Sequence, residues 1–200
     1  MKNLPNILTS IRIFIIPILI ISFYIPGLFA NVFAALLFAV ASITDYFDGY
    51  LARIMHVQSK FGKCLDPIAD KLMVIVAIIM VIGFSNHNPI ILIPGVIIIC
   101  REVIVSGLRE FLAEINVFVP VSKLAKYKTG FQMVSITILL LGEKGASYLI
   151  YYIIGGLLTV SQKIIIVGSI ILIGKIIFII AAILTVITGY SYLKIGLKNM

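Results

Sequence analysis

The constraint that most narrows what this chain can fold into is its succession of long apolar runs, broken by charge at only a few places. One run ends at Tyr24 and is interrupted only by Arg12 and Pro17; residues 31–44, 62–84 and 90–111 carry three more, and another begins near Thr129. A helix needs roughly 20 apolar residues to cross a bilayer, so runs of this kind read as membrane-spanning helices. Mean hydropathy is +1.20, and only 12% of the 200 residues are charged against 62% apolar. One soluble core could not hide that much apolar surface. The expected class is an all-α integral membrane protein, a single domain over residues 1–200.

Turn chemistry and charge set the expected course of the chain. Pro26-Gly27 and Ser85-Asn86-His87-Asn88-Pro89 read as turns on the outer side. Residues 54–63, with Lys60 and Lys63, read as an inner loop, and Pro67 is expected in the first turn of the third helix. Lys123, Lys126 and Lys128 fall on an inner loop or helix start, in keeping with the excess of Lys and Arg on cytoplasmic loops. Residues 142–175 are harder to place: 146–160 and 164–174 are apolar but short, punctuated by Glu143, Lys144, Lys163 and Lys175. One extra crossing there would leave Lys194 and Lys198 outside. We therefore expect an outer hairpin or interfacial helices in this apolar expansion, then a sixth span over 176–193, six transmembrane helices in all, with a polar cavity on the cytoplasmic side.

All four aspartates, Asp45, Asp48, Asp66 and Asp70, lie within 26 positions between two apolar runs. Asp45 and Asp48 are i, i+3 and Asp66 and Asp70 are i, i+4, so each pair shares a helix face. Four converging carboxylates would repel and take up protons unless cations sat among them, and hard oxygen ligands suit divalent ions such as Mg²⁺ or Mn²⁺. Gly49, Ala52 and Gly62 each stand one turn from an aspartate, which leaves room for a flat or bulky ligand. Arg53 adds a fixed cation that a phosphate would use. The competing reading, a helix pair with polar ends at the membrane surface, leaves the cost of intramembrane acids unexplained.

The spaced set Asp45, Asp48, Gly49, Ala52, Arg53, Gly62, Asp66 and Asp70 resembles the signature of the CDP-alcohol phosphotransferases at all eight positions and every spacing. That resemblance implies a metal-dependent membrane enzyme, with the four aspartates holding the metals and the last, Asp70, acting as general base. It further implies that Gly49, Arg53 and Ser59 contact the donor nucleotide, and that Asn6 and Thr9 of the Pro5-Asn6-x2-Thr9-x2-Arg12 pattern approach it. Arg12 itself is open to a simpler reading, snorkelling to lipid headgroups. A homodimer is implied by resemblance alone.

Two further stretches, 101–110 with Arg101-Glu102 and Arg109-Glu110, and Lys126-Tyr127-Lys128-Thr129-x2-Gln132-Met133, resemble the phosphatidylglycerophosphate synthase branch, with Ala125 where that branch has glycine. The branch implies CDP-diacylglycerol as donor and glycerol 3-phosphate as acceptor. Arg101 and Arg109, eight apart, fall on nearly one helix face about 12 Å apart; the plainer reading is two intrahelical ion pairs. With Lys126 and Lys128 they form the candidate acceptor-phosphate set. A net charge of +8 fits membrane lipids and phosphate-bearing substrates, and no interleaved basic and aromatic pattern points to nucleic acid. The expected location is a bacterial inner (plasma) membrane, with the site facing the cytoplasm and no cleavable signal. Rival readings are another acceptor, such as inositol phosphate or a phospholipid, and a cation transporter using the four carboxylates. Cys64 and Cys100 are expected to be small packing residues, and His87 lacks partner ligands for a metal role.

Overall fold

The computed structural model describes the backbone of residues 4–25, 27–55, 60–115, 117, 123–154 and 157–198, and the side chains of these apart from 4–10, 28, 45–55, 60–67, 123 and 198. The described residues form six helices: α1 Leu4–Ser22, α2 Leu28–Met55, α3 Lys60–Phe84, α4 Pro89–Glu114, α5 Lys123–Ile154 and α6 Val160–Lys198. Among them α4, residues 124–154 of α5 and residues 160–197 of α6 are long and apolar enough to cross a membrane, and Ile11–Ser22 and Phe29–Thr44 are shorter apolar segments.

Burial follows the pattern of a protein whose solvent is lipid. Phe14, Leu36, Ile93, Ile165 and Val186 face outward, while Arg12, Lys128, Gln132, Ser135, Thr185 and Thr188 are buried. A soluble fold does the reverse. The core is built by Leu19, Phe38, Met73, Ile78, Ile98, Ile136, Leu140 and Phe178, with Ala34, Ala77, Ala181 and Ala182 letting backbones approach. α1 packs on α2 and α3, α2 on α5, and α6 runs along both α4 and α5.

The turn at 85–88 has the expected chemistry: Asn86 and His87 take positive φ, and the Asn88 side chain accepts from the Ile90 amide at 3.0 Å ahead of Pro89. Several expectations move. α3 begins at Lys60, so Pro67 falls two turns inside the helix rather than in its first turn. α5 begins at Lys123, which puts Lys126 and Lys128 on a helix rather than a loop. Cys100 is exposed, not packed, on an outward face of α4.

The expansion at 142–175 is a hairpin, but no separate span begins at 176. α5 kinks at Gly142, whose φ of 59° and ψ of −177° fall in a region essentially reserved for glycine. Asn31 of α2 donates to the Leu140 carbonyl beside the kink at 3.4 Å. Beyond it Ala146 and Ile150 pack on Val167, and the chain returns as one 39-residue helix. At 1.5 Å per residue α6 is about 58 Å long, nearly twice the roughly 30 Å hydrocarbon layer. Lys163, read from sequence as punctuation, is carried on the helix with its ammonium 5.3 Å from the Tyr151 ring centre. A cavity of about 930 Å³ lies at this end, lined by Phe84, Asn88, Gly142, Lys144 and Lys175.

Gly174 sets the α5–α6 approach: a Cβ there would stand 2.6 Å from Ile138 Cγ2 and 3.2 Å from its Cβ. Gly174→Val should therefore overpack the crossing and cost about 1–3 kcal/mol, read as a lowered thermal midpoint of the detergent-purified protein. An unchanged midpoint would show that the two helices separate freely.

Candidate active site

Opposite that end, α3, α4, α5 and α6 enclose a pocket of about 290 Å³. Asp70 and Lys71 come from α3, Arg101, Glu102 and Arg109 from α4, Lys126 and Lys128 from the first turns of α5, and Tyr192 from the end of α6. Among the described residues, five cationic side chains thus face two carboxylates.

Asp70 is also held by a fifth helix. Arg12 of α1, its side chain only 5% exposed, donates from Nη1 to Asp70 Oδ1, and the Asp70 side chain keeps 36% of its surface open. An arginine inside an apolar helix is costly unless paired, and the carboxylate supplies its counter-charge. The snorkelling reading of Arg12 is thereby corrected: the side chain turns inward because its partner lies on α3. Beside it, Lys71 Nζ donates to Ser106 Oγ of α4.

On α4, Glu102 accepts from the buried Lys128 of α5, and Arg101 Nη1 lies 3.5 Å from the same Glu102 oxygen. Arg101 Nη2 donates to Thr188 Oγ1 of α6 at 3.2 Å, while its Nε is buried without a hydrogen-bond partner. The guanidinium carbons of Arg101 and Arg109 lie 5.9 and 5.4 Å from the Tyr192 ring centre. Both arginines therefore do share one face. The two-ion-pair reading fails at Arg109, which makes no ion pair with Glu110 among the described residues.

Of the residues singled out from sequence, the structure brings together Asp70, Arg101, Arg109, Lys126 and Lys128. Asn6 and Thr9 stand on the first turns of α1, Asp45, Asp48, Gly49, Ala52 and Arg53 on the last turns of α2, and Gly62 and Asp66 on the first turns of α3. Their side chains lie outside the described residues, and Ser59 lies outside them altogether. The backbone is helical through 45–55 and 60–70, so Asp45 and Asp48 share a face of α2, as Asp66 and Asp70 share one of α3. No group of three or more acidic, His or Cys residues gathers among the described residues. The donor chemistry fits a hard divalent cation: the partly open Asp70 carboxylate, with no His or Cys among the described residues of the pocket wall.

Lys71, Ser106, Thr188 and Tyr192 were not anticipated. Lys71 had a signal, a lysine directly after Asp70 at the start of an otherwise apolar stretch. Thr188 and Tyr192 had a weaker one, polar groups at i, i+4 near the end of an apolar helix.

Residues 2–187 match the model of the CDP-alcohol phosphatidyltransferase family. The chain belongs to that family. Among its relatives, a protein of Rickettsia felis named CDP-diacylglycerol--glycerol-3-phosphate 3-phosphatidyltransferase is 49% identical over 193 residues, which span 96% of this chain and 94% of the relative. A protein of the same name from Rickettsia typhi is 49% identical over 194 residues, 97% of each chain. One from Salmonella choleraesuis, again so named, is 42% identical over 140 residues, 69% of this chain and 76% of its own. In this CDP-alcohol phosphatidyltransferase family member, Asp70 lines a pocket that also carries Lys71, Arg101, Arg109, Lys126 and Lys128.

Proposed function

We propose that this chain transfers a phosphatidyl group from CDP-diacylglycerol to glycerol 3-phosphate, giving phosphatidylglycerophosphate and CMP in phospholipid synthesis. One observation carries the reading: Asp70 opens into a pocket whose other charged walls, among the described residues, are Lys71, Arg101, Arg109, Lys126 and Lys128, with Glu102 the one further acid. A base beside an anion-binding wall suits an acceptor that bears both a hydroxyl to deprotonate and a phosphate to hold. The names of the near full-length relatives support the same acceptor.

All six helices would span the membrane. The inner end would be the one where α2, α4 and α6 stop and α3 and α5 start, because Lys60, Lys63, Lys123, Lys126, Lys194 and Lys198 gather there. The site then faces the cytoplasm of a bacterial inner membrane.

Asp45, Asp48, Asp66 and Asp70 would hold two Mg²⁺ or Mn²⁺ ions, which when bound neutralise the donor pyrophosphate and polarise the phosphorus under attack. Gly49, Ala52 and Gly62 leave space for the nucleotide, with Arg53, Asn6, Thr9 and Ser59 as its contacts. Arg101, Arg109 and Lys126 hold the acceptor phosphate; Lys128, neutralised by Glu102, chiefly ties α5 to α4. Asp70, held at one oxygen by Arg12, takes the proton of the acceptor hydroxyl. The acceptor hydroxyl's oxygen bonds to the β-phosphorus, the phosphorus–oxygen bond to CMP breaks, and CMP leaves with the electron pair. The transporter reading is disfavoured by the same pocket, where a travelling cation would meet five fixed positive charges.

The direct test is CMP release by the purified protein from CDP-diacylglycerol with glycerol 3-phosphate, inositol phosphate or a phospholipid as acceptor. Turnover should need glycerol 3-phosphate; equal use of inositol phosphate would reassign the acceptor. Arg109→Ala should raise the glycerol 3-phosphate KM about tenfold, the lower end for a charge-assisted contact because Arg109 is exposed, with the donor KM unchanged.

A further inference from the structure

The acceptor wall owes its geometry to a helix that supplies none of its charge. Arg101 and Arg109 repel one another, and an arginine side chain loses considerable rotamer freedom when fixed. Yet both guanidinium groups converge on one buried ring, Tyr192 of α6, at 5.9 and 5.4 Å. These distances lie within the range over which an aromatic face attracts a cation. One turn earlier on the same helix, Thr188 accepts from Arg101 Nη2 at 3.2 Å. Between them Gly189 makes room for the Arg101 stem: a Cβ there would stand 3.0 Å from Arg101 Cγ and 3.6 Å from its Nε. Thr188, Gly189 and Tyr192 lie just beyond the residues matched by the family model.

We infer that Thr188, Gly189 and Tyr192 are positioning residues that hold Arg101 and Arg109 as the two prongs of one clamp for a phosphate monoester, set before the acceptor arrives. This rests on the reading of the pocket as the acceptor site. Fixing the clamp in advance removes the ordering cost from binding, so its loss falls on acceptor affinity more than on the chemical step.

The test compares Tyr192→Leu, Tyr192→Phe and Gly189→Ala for glycerol 3-phosphate KM, CDP-diacylglycerol KM, kcat and thermal midpoint. Tyr192→Leu should raise the acceptor KM about tenfold with the donor KM unchanged, and Tyr192→Phe, which keeps the ring face, should restore it. Gly189→Ala improves helix propensity, so a purely structural role predicts an equal or higher midpoint and an unchanged KM. Displacement of Arg101 predicts instead an acceptor KM raised severalfold at that same midpoint. An unchanged acceptor KM in Tyr192→Leu, or a Tyr192→Phe as impaired as Tyr192→Leu, overturns the clamp. Should Tyr192→Leu fail to fold, Gly189→Ala and Thr188→Val decide it: a raised acceptor KM supports the clamp and an unchanged one overturns it. Failure of the wild-type protein to use glycerol 3-phosphate at all would overturn the acceptor assignment itself, an outcome visible before any variant is made.

Discussion

Asp70→Asn should lower kcat for phosphatidyl transfer by at least about 10²-fold, the usual scale for loss of a general base, while CDP-diacylglycerol still binds. The substitution keeps size and one carbonyl oxygen, so Arg12 retains an acceptor, but it removes the basicity. Asp70 is the residue placed to act this way because it belongs to two neighbourhoods. It shares its face of α3 with Asp66, and its carboxylate lines the pocket with Arg101, Arg109 and Lys126. Removing one partner of a charge pair with the buried Arg12 also costs stability, an effect moderated by the open third of the Asp70 side chain. Thermal midpoint and donor binding are therefore measured beside kcat. Near-normal turnover at saturating metal and substrates would leave Asp70 as a ligand and require another base.

Chelation by EDTA should abolish CMP release, and Mg²⁺ or Mn²⁺ should restore it where Zn²⁺ does not. Four aspartates in 26 positions would otherwise confront a pyrophosphate of their own charge. The five pocket cations do not remove this need, since they line the pocket proposed for the acceptor and two of them, Arg101 and Lys128, are already engaged with Glu102. The measurement is CMP release after exhaustive chelation, followed by stepwise metal addition. Full activity without divalent metal would show that the acids serve another purpose.

Much of the fold was legible because its signals are local. Apolar runs yielded the helices, and Asn88-Pro89 marked the start of α4 through contacts two residues apart. Helix ends were less so: α3 and α5 start earlier than their apolar cores because Lys60 and Lys123 are tolerated in a first turn that carries no hydrophobic signal. The continuity of α6 through Lys163 and Lys175 was missed for a related reason. A lysine ends an apolar run in a sequence without ending a helix.

The candidate site divides along the same line. The sequence by itself determined that Asp45 pairs with Asp48 and Asp66 with Asp70 on shared helix faces, and that Arg101 and Arg109 lie in one stripe, because each of these follows from a period of 3.6 residues. Only the tertiary structure decided which charges meet. Arg12 finds Asp70 across 58 residues, Glu102 finds Lys128 across 26, and Arg101 reaches Thr188 across 87. Such partners depend on which helices pack side by side and at what depth, and helix periodicity carries no information about either. In an apolar surrounding the cost of an unpaired charge then selects these contacts from among the packings that the apolar faces alone would allow.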